Sequence, residues 1–278
     1  MAWILSHEPV VRLSVYFGLL ALLMLGEMLW PRRRLGTGRR RRWPGNLGIA
    51  ALNAILVRLL APGAVVGSAV WAEQTGSGLF HLLAVPGWLA IMAGLLILDL
   101  LIYGQHVAFH RLPLLWRLHR MHHADLDIDV TTGARFHPLE ILLSVAIKIA
   151  AVLALGIPAP AVLLFEVILN ATAMFNHANL ALPAGLDRWL RLLVVTPDMH
   201  RVHHSWHRAE TDSNFGFNLP WWDRLFGTYV SQPRDGHLGM TIGLADFRDA
   251  GDLRLDRMLL QPLRPERPPA GDTASPVV

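Results

Sequence analysis

The chemistry in this sequence is concentrated in its histidines. Fourteen occur in 278 residues, and eight fall into three short strings: His106 and His110; His119, His122 and His123; and His200, His203 and His204. On a helix, positions i and i+4 bring their Cβ atoms within about 5–6 Å, and an i, i+3, i+4 pattern gathers three rings on one face. At this histidine content a given HxxHH string is expected about 0.04 times by chance, yet the chain contains two. Imidazoles presented this way bind metal ions. Eight exceed the four ligands of a closed zinc site, so the count asks for two neighbouring ions. Imidazole suits zinc, copper, iron and nickel alike, which leaves several chemistries open. Zinc could assist hydrolysis, with Asp125 or Asp198 as general base, or the rings could bind metal without turnover. Iron could activate oxygen toward an inert C–H bond, which needs a redox-active ion.

The elements that must hold these rings read as membrane helices. Hydrophobic residues make up 53% of the chain and charged residues 17%, with a mean hydropathy of +0.37, a composition that points away from a soluble fold. The absence of cysteine excludes disulfides, thiolate zinc sites and iron–sulfur clusters. The net charge is +4, but the arginines flank apolar segments, so nucleic acid is not an expected partner. Residues 11–30 are apolar apart from Arg12 and Glu27, long enough to cross about 30 Å of hydrocarbon, and too long for a signal peptide. Arg32, Arg33, Arg34 and Arg39 to Arg42 follow, which holds that loop on the cytoplasmic side.

Further spans are expected over residues 47–71, broken at Pro62-Gly63, and over 82–103. Residues 139–157 and 161–182 form a hairpin through Pro158 and Pro160 that either crosses fully or re-enters. This order brings every histidine-rich segment to the cytoplasmic face. The expected fold class is all-α: an integral membrane helical bundle of four to five transmembrane helices with a cytoplasmic histidine-rich metal-binding helical cap. Residues 1–81 would form the anchor region with its arginine-rich loop, 82–235 the catalytic domain, and 236–278 a cytoplasmic tail, disordered from Pro262.

Lys148 is the sole lysine and lies mid-span, where an unpaired charge costs about 2.5–3.5 kcal/mol. Counted from the proline turn, Glu166 sits at nearly the same depth, so a Lys148–Glu166 contact is expected, with snorkelling as the alternative. His7, His81 and His237 read as hydrogen-bonded histidines at the membrane interface. Trp221, Trp222, Phe226 and Tyr229 fit an interfacial aromatic belt somewhat better than a lid over the metals. Arg111, Arg117, Arg120 and Arg201 fit either a basic docking surface for an acidic partner or snorkelling to lipid phosphate.

The three histidine strings resemble the three histidine boxes of the membrane fatty acid hydroxylase and sterol desaturase superfamily. Matching segments surround them: Arg135-Phe136-His137-Pro138-Leu139-Glu140, Asn176-His177-Ala178-Asn179, and Trp222-Asp223-Arg224-Leu225-Phe226-Gly227-Thr228-Tyr229. The resemblance spans roughly residues 90–230. It implies a di-iron oxygenase that uses molecular oxygen and two external electrons to hydroxylate a fatty acyl, sterol, hopanoid or related lipid, with lipid desaturation as the near alternative. It also implies the metal ligands: His106, His110, His119, His122, His123, His200, His203 and His204, with His137 and His177 as ninth and tenth. His207 is expected outside that set. Asp99, Asp125, Glu140, Asn176, Asn179 and Asp198 are candidates for orienting the imidazoles. The chain has no motif for a fused haem or flavin donor, so a separate reductase, ferredoxin or b-type cytochrome would supply the electrons. The expected setting is a bacterial inner membrane.

Overall fold

The computed structural model describes residues 7–61 and 63–266. These form helices and loops, and the only β features among them are two isolated bridges, Pro31 with Leu180 and Ser205 with Ile242. Five stretches are long and apolar enough to cross a membrane: Val10–Leu29, Arg39–Leu82, Gly87–Arg111, Pro138–Leu155 and Ala159–His177.

Helix α1 (Glu8–Leu29) leads into the arginine-rich loop. The next stretch is split into α2 (Arg39–Leu60) and α3 (Ala64–Thr75). α4 (Gly87–Arg111) has 25 residues, about 38 Å by helical rise. It therefore outruns the hydrocarbon and carries His106 and His110 past it. Proline at the first position starts α5 (Pro113–His123), where its missing N–H costs nothing. α6 (Pro138–Leu155) and α7 (Ala159–His177) make the expected hairpin. Gly156, at φ 69°, closes α6 in the left-handed conformation that a Cβ would strain. α7 stops at His177, five residues before the expected end. Beyond it the Asn179 side chain receives the Arg33 N–H and donates to the Arg33 carbonyl, while the Asn179 N–H donates to Glu27. These bonds hold the chain extended.

α7 is the axis of the bundle. Its Val162 and Phe165 pack with Leu98 and Ile102 of α4, Val152 of α6 and Ala69 of α3, while Met174 packs with Leu23 of α1. Lys148 of α6 meets Glu166 of α7 in an ion pair, and Arg12 of α1 reaches the other Glu166 oxygen at 3.3 Å. The predicted pair therefore exists, with a third member that counting along one hairpin does not reveal.

The end of the chain departs from expectation. Residues 262–266 are not a loose tail: Arg117 Nε donates to the Pro262 carbonyl at 2.7 Å, and Trp116 Nε1 donates to Glu266 at 2.7 Å. Met258 of the helix Leu255–Leu260 fills a buried cluster with Ile49 and Met121. Gly45 makes this possible, because a Cβ there would lie 2.2 Å from the Leu253 carbonyl oxygen. Residues 267–278 lie outside the described chain.

Candidate metal centre

Four elements bring the rings together. α4 supplies His106 and His110, α5 supplies His119, His122 and His123, and α7 ends on His177. α9 (Pro197–His203), capped by the Thr196 side chain, supplies His200 and His203, with His204 just beyond. Their ring nitrogens form two groups, each lying within 4.8 Å internally: His106, His110, His119, His123 and His203; and His122, His177, His200 and His204. All nine are buried.

The two HxxHH strings are shared between the groups, which the expectation of one common face did not anticipate. Each residue advances about 100° around a helix, so position i+3 falls roughly 60° behind position i and i+4 roughly 40° ahead. The pair His119 and His123 thus joins the first group while His122 turns to the second. On α9 the sharing is reversed: His200 and His204 join the second group, and His203 the first.

The donor set fits metal ions. His106 Nε2 lies 3.1 Å from His119 Nε2 and 3.0 Å from His203 Nε2. His177 Nε2 lies 3.1, 3.1 and 3.2 Å from those of His122, His200 and His204. These contacts cannot all be hydrogen bonds. Nδ1 of His106, His177 and His203 faces the carbonyl oxygens of Phe215 (2.7 Å), Ala173 (2.7 Å) and Ser213 (2.6 Å). A carbonyl only accepts, so the ring proton sits on Nδ1 and Nε2 presents a lone pair. Several lone pairs converging at about 3 Å match neighbouring corners of a coordination shell with bonds of about 2.1 Å. His110 Nε2 and both nitrogens of His123 are buried without hydrogen-bond partners, the condition a metal relieves. Burial first, then the adjoining imidazoles, push His122, His123, His200, His203 and His204 well below the ordinary histidine range. They are neutral at pH 7, as ligands must be.

Partners around the rings divide into those that were expected and those that were missed. Glu140 accepts from His119 Nδ1 at 2.7 Å, as a ligand-orienting carboxylate does. Asp125 instead binds Arg42, at 2.6 and 2.8 Å. Burial raises its carboxyl, but the guanidinium more than offsets this and holds it below the usual carboxylate range. Asp99 accepts from Trp222, Asn176 donates to the Phe217 carbonyl, and Asp198 binds Arg32 and Arg201. None of these three hydrogen-bonds a ring of either group.

The missed element is the loop 212–217. Asp212 faces His110 Nδ1 at 3.2 Å, and the Ser213 and Phe215 carbonyls hold His203 and His106. Asn214 turns this loop at φ 49°, and Asp223 fixes it by accepting from the backbone N–H of Phe215 and Gly216 at 2.8 and 2.9 Å. The signal was available in Asp223, the carboxylate inside an aromatic motif. Gly133 is a second such feature, since a Cβ there would lie 2.5 Å from the Ala173 carbonyl oxygen and 3.3 Å from His177 Nδ1.

His137 is not brought into either group. Its Nδ1 accepts from the Leu139 N–H and its Nε2 faces the Leu259 carbonyl, so the ring caps α6. His207 also stands apart, 2.7 Å from Asp235. Arg120 and Arg201 are buried, held by Gln261 and Glu266 and by Asp198. They cannot form a docking surface, while Arg111 and Arg117 remain exposed. Trp221 and Phe226 are exposed, and Phe226 stacks on Tyr103 at 5.5 Å, away from the rings.

An apolar cavity of about 560 Å³ opens onto the first group. His106 and His119 form one end, and Lys148 and Glu166 line it further along. The eleven residues from Glu166 to His177 correspond to about 16 Å of helix. Tyr16, Ala51, Ile141 and Met174 are among its walls, so α1, α2, α6 and α7 all contribute.

Residues 91–228 match the family model described as fatty acid hydroxylase. Curated relatives include an ornithine lipid hydroxylase of Rhizobium tropici, 33% identical over 52% of this chain and 43% of its own length. The alkylglycerol monooxygenase of Xenopus tropicalis is 27% identical over 86% of this chain and 52% of its own length. The human alkylglycerol monooxygenase is 31% identical over 52% and 32% respectively. The chain thus spans about half or less of the length of these relatives. No solved structure matches it.

Proposed function

Because the chain belongs to the fatty acid hydroxylase family, we propose that it is a membrane-embedded, oxygen-dependent di-iron enzyme that hydroxylates a C–H bond of a lipid chain. The observation that carries this reading is the apolar cavity ending at His106 and His119. Its volume lies within the range of ligand pockets, about 300–1,000 Å³, and its walls are membrane helices. Leu20, Val57, Ile102, Val145 and Leu169 give its wall the apolar surface that an alkyl chain requires.

The first group, His106, His110, His119, His123 and His203, would hold one iron, and His122, His177, His200 and His204 the other. Two irons bound there would supply the redox chemistry that oxygen activation requires. The remaining work falls to the protein's own groups. Glu140 and the loop carbonyls keep each proton on Nδ1, so Nε2 stays a ligand. Phe136, stacked on His122 with ring centroids 4.3 Å apart, and Phe217 line the cavity beside His106 and His119. The cavity lays an alkyl chain along α7, with one methylene facing His106 and His119. Residues 82–235 would form the catalytic domain in a bacterial inner membrane, with the metal site on its cytoplasmic face and electrons from a separate reductase, ferredoxin or b-type cytochrome.

The test is elemental analysis of protein purified from iron-supplemented cells, paired with lipid mass spectrometry of cells with and without the gene. About two irons per chain and a lipid heavier by one oxygen atom are expected. Zinc in place of iron would overturn the oxygenase reading. A lipid lighter by two hydrogens would instead identify a desaturase.

A further inference from the structure

A second recess, of about 510 Å³, lies apart from the cavity and the histidine groups. Its wall carries Arg32, Arg188, Arg191 and Arg224 against Asp187 and Asp198. Asp198 is engaged by Arg32 at 3.0 Å, and Asp187 by Arg191 at 2.6 Å. Four cations less two carboxylates leave a surplus of two positive charges, at Arg188 and Arg224, which make no ion pair among the described residues. Two buried donors of the wall are also unfilled. Arg191 is only 7% exposed, yet its Nη2 has no hydrogen-bond partner; His237 is 6% exposed, and neither ring nitrogen has one, Nε2 standing 3.6 Å from Asp198.

The rim of this recess is apolar. On α8 (Ala184–Leu190) and just after it, Leu186, Trp189, Leu192 and Leu193 are 49–65% exposed, and Leu225 and Phe226 of the facing segment 69% and 55%. Trp221 Nε1 donates to the Leu192 carbonyl and joins the two sides. This surface follows the histidine end of α7, where a membrane span stops, so arginines and tryptophans meet there at headgroup level. Guanidinium groups clustered at such a boundary recognise phosphate by charge-assisted hydrogen bonds.

We propose that this recess binds the phosphate of an anionic membrane phospholipid, whose acyl chains lie against Leu186, Trp189 and Leu193. Arg191 Nη2 and His237 complete their hydrogen bonding on the phosphate, and Arg188 and Arg224 balance its charge. The site is independent of metal loading and of the reaction.

The experiment is native mass spectrometry of protein released from nanodiscs of phosphatidylcholine with and without phosphatidylglycerol. Wild-type protein should retain phosphatidylglycerol over phosphatidylcholine. Arg188→Gln with Arg224→Gln, both on the surface, should lower that retention about 25-fold, roughly fivefold per cation removed at a charged membrane surface. Helical circular dichroism and metal content of the double variant should match wild type, and Arg191→Met gives a second loss by an independent residue. Equal retention of phosphatidylcholine, or unchanged retention in both variants, overturns the proposal. Full displacement of lipid by millimolar inorganic phosphate would show a free-anion site and overturn it as well.

Discussion

Arg42→Met removes a cation that makes five hydrogen bonds in a fully buried position. Its guanidinium donates to Asp125 at 2.6 and 2.8 Å, to Asp129 at 2.7 Å, to the Asp127 carbonyl at 2.9 Å and to Thr132 at 3.0 Å. Both ion pairs are wholly inaccessible. Breaking a buried pair from one side costs about 3–5 kcal/mol. For a chain of 278 residues each kcal/mol moves the melting temperature by about 2–3 °C, so a fall of about 10 °C is expected. Asp125 follows α5 directly, so bound metal should fall as well. The pH dependence has a definite sign. In the wild type Asp125 is held below its ordinary value, and its stabilisation is present above about pH 4 and lost as acid protonates it. Without Arg42, burial, the largest influence on this carboxyl, is opposed chiefly by Arg135 and Asn46, so Asp125 takes up a proton at higher pH than in the wild type and its penalty shrinks on acidification. The gap between variant and wild type is therefore widest near pH 8 and narrows toward pH 5. The assay is thermal unfolding in detergent at both pH values, with Arg42→Lys as a control expected to recover only part of the loss because a point charge cannot bridge two carboxylates. A shift below about 2 °C, or a gap that widens in acid, would refute the reasoning.

Other perturbations separate ligands from supports. Glu140→Gln should weaken metal binding about 10- to 100-fold while leaving the helices intact, as measured by chelator competition. His203→Ala should lower metal stoichiometry, whereas His137→Ala should leave it unchanged and cost about 1 kcal/mol through the lost cap of α6; elemental analysis with thermal melts distinguishes them. Lys148→Met should lower the melting temperature and yield, because it removes one of the two cations on Glu166, and adding Glu166→Leu should recover part of the loss. A double variant no better than the single one would place the stabilisation elsewhere than in the pair.

The sequence made the rings legible because imidazoles that share a helix face must recur at three- and four-residue spacing, and His177 was reached through the Asn176-His177-Ala178-Asn179 segment of the family resemblance. Lys148 and Glu166 could be paired by depth because the hairpin fixes their register. His137 turns back to the backbone, as a ring beside a helix start can, and no spacing distinguishes that from turning toward the other rings. The carbonyls of Ser213 and Phe215 carry no side-chain signature at all, so the loop that fixes His203 and His106 was visible only in three dimensions. Arg120 and Arg201 were read as surface groups because charge usually is, and the segments that bury them are distant in sequence.

The clasp formed by residues 258–266 sets an order of events during synthesis. α5 carries three of the nine rings, and its outer side is gripped by Trp116 on Glu266, Arg117 on the Pro262 carbonyl and Arg120 on the Gln261 carbonyl. A nascent chain that has just completed His204 holds all nine grouped rings but lacks this brace. The donor cage can therefore tighten only after about sixty further residues have cleared the ribosome, roughly 3–12 s at ordinary elongation rates.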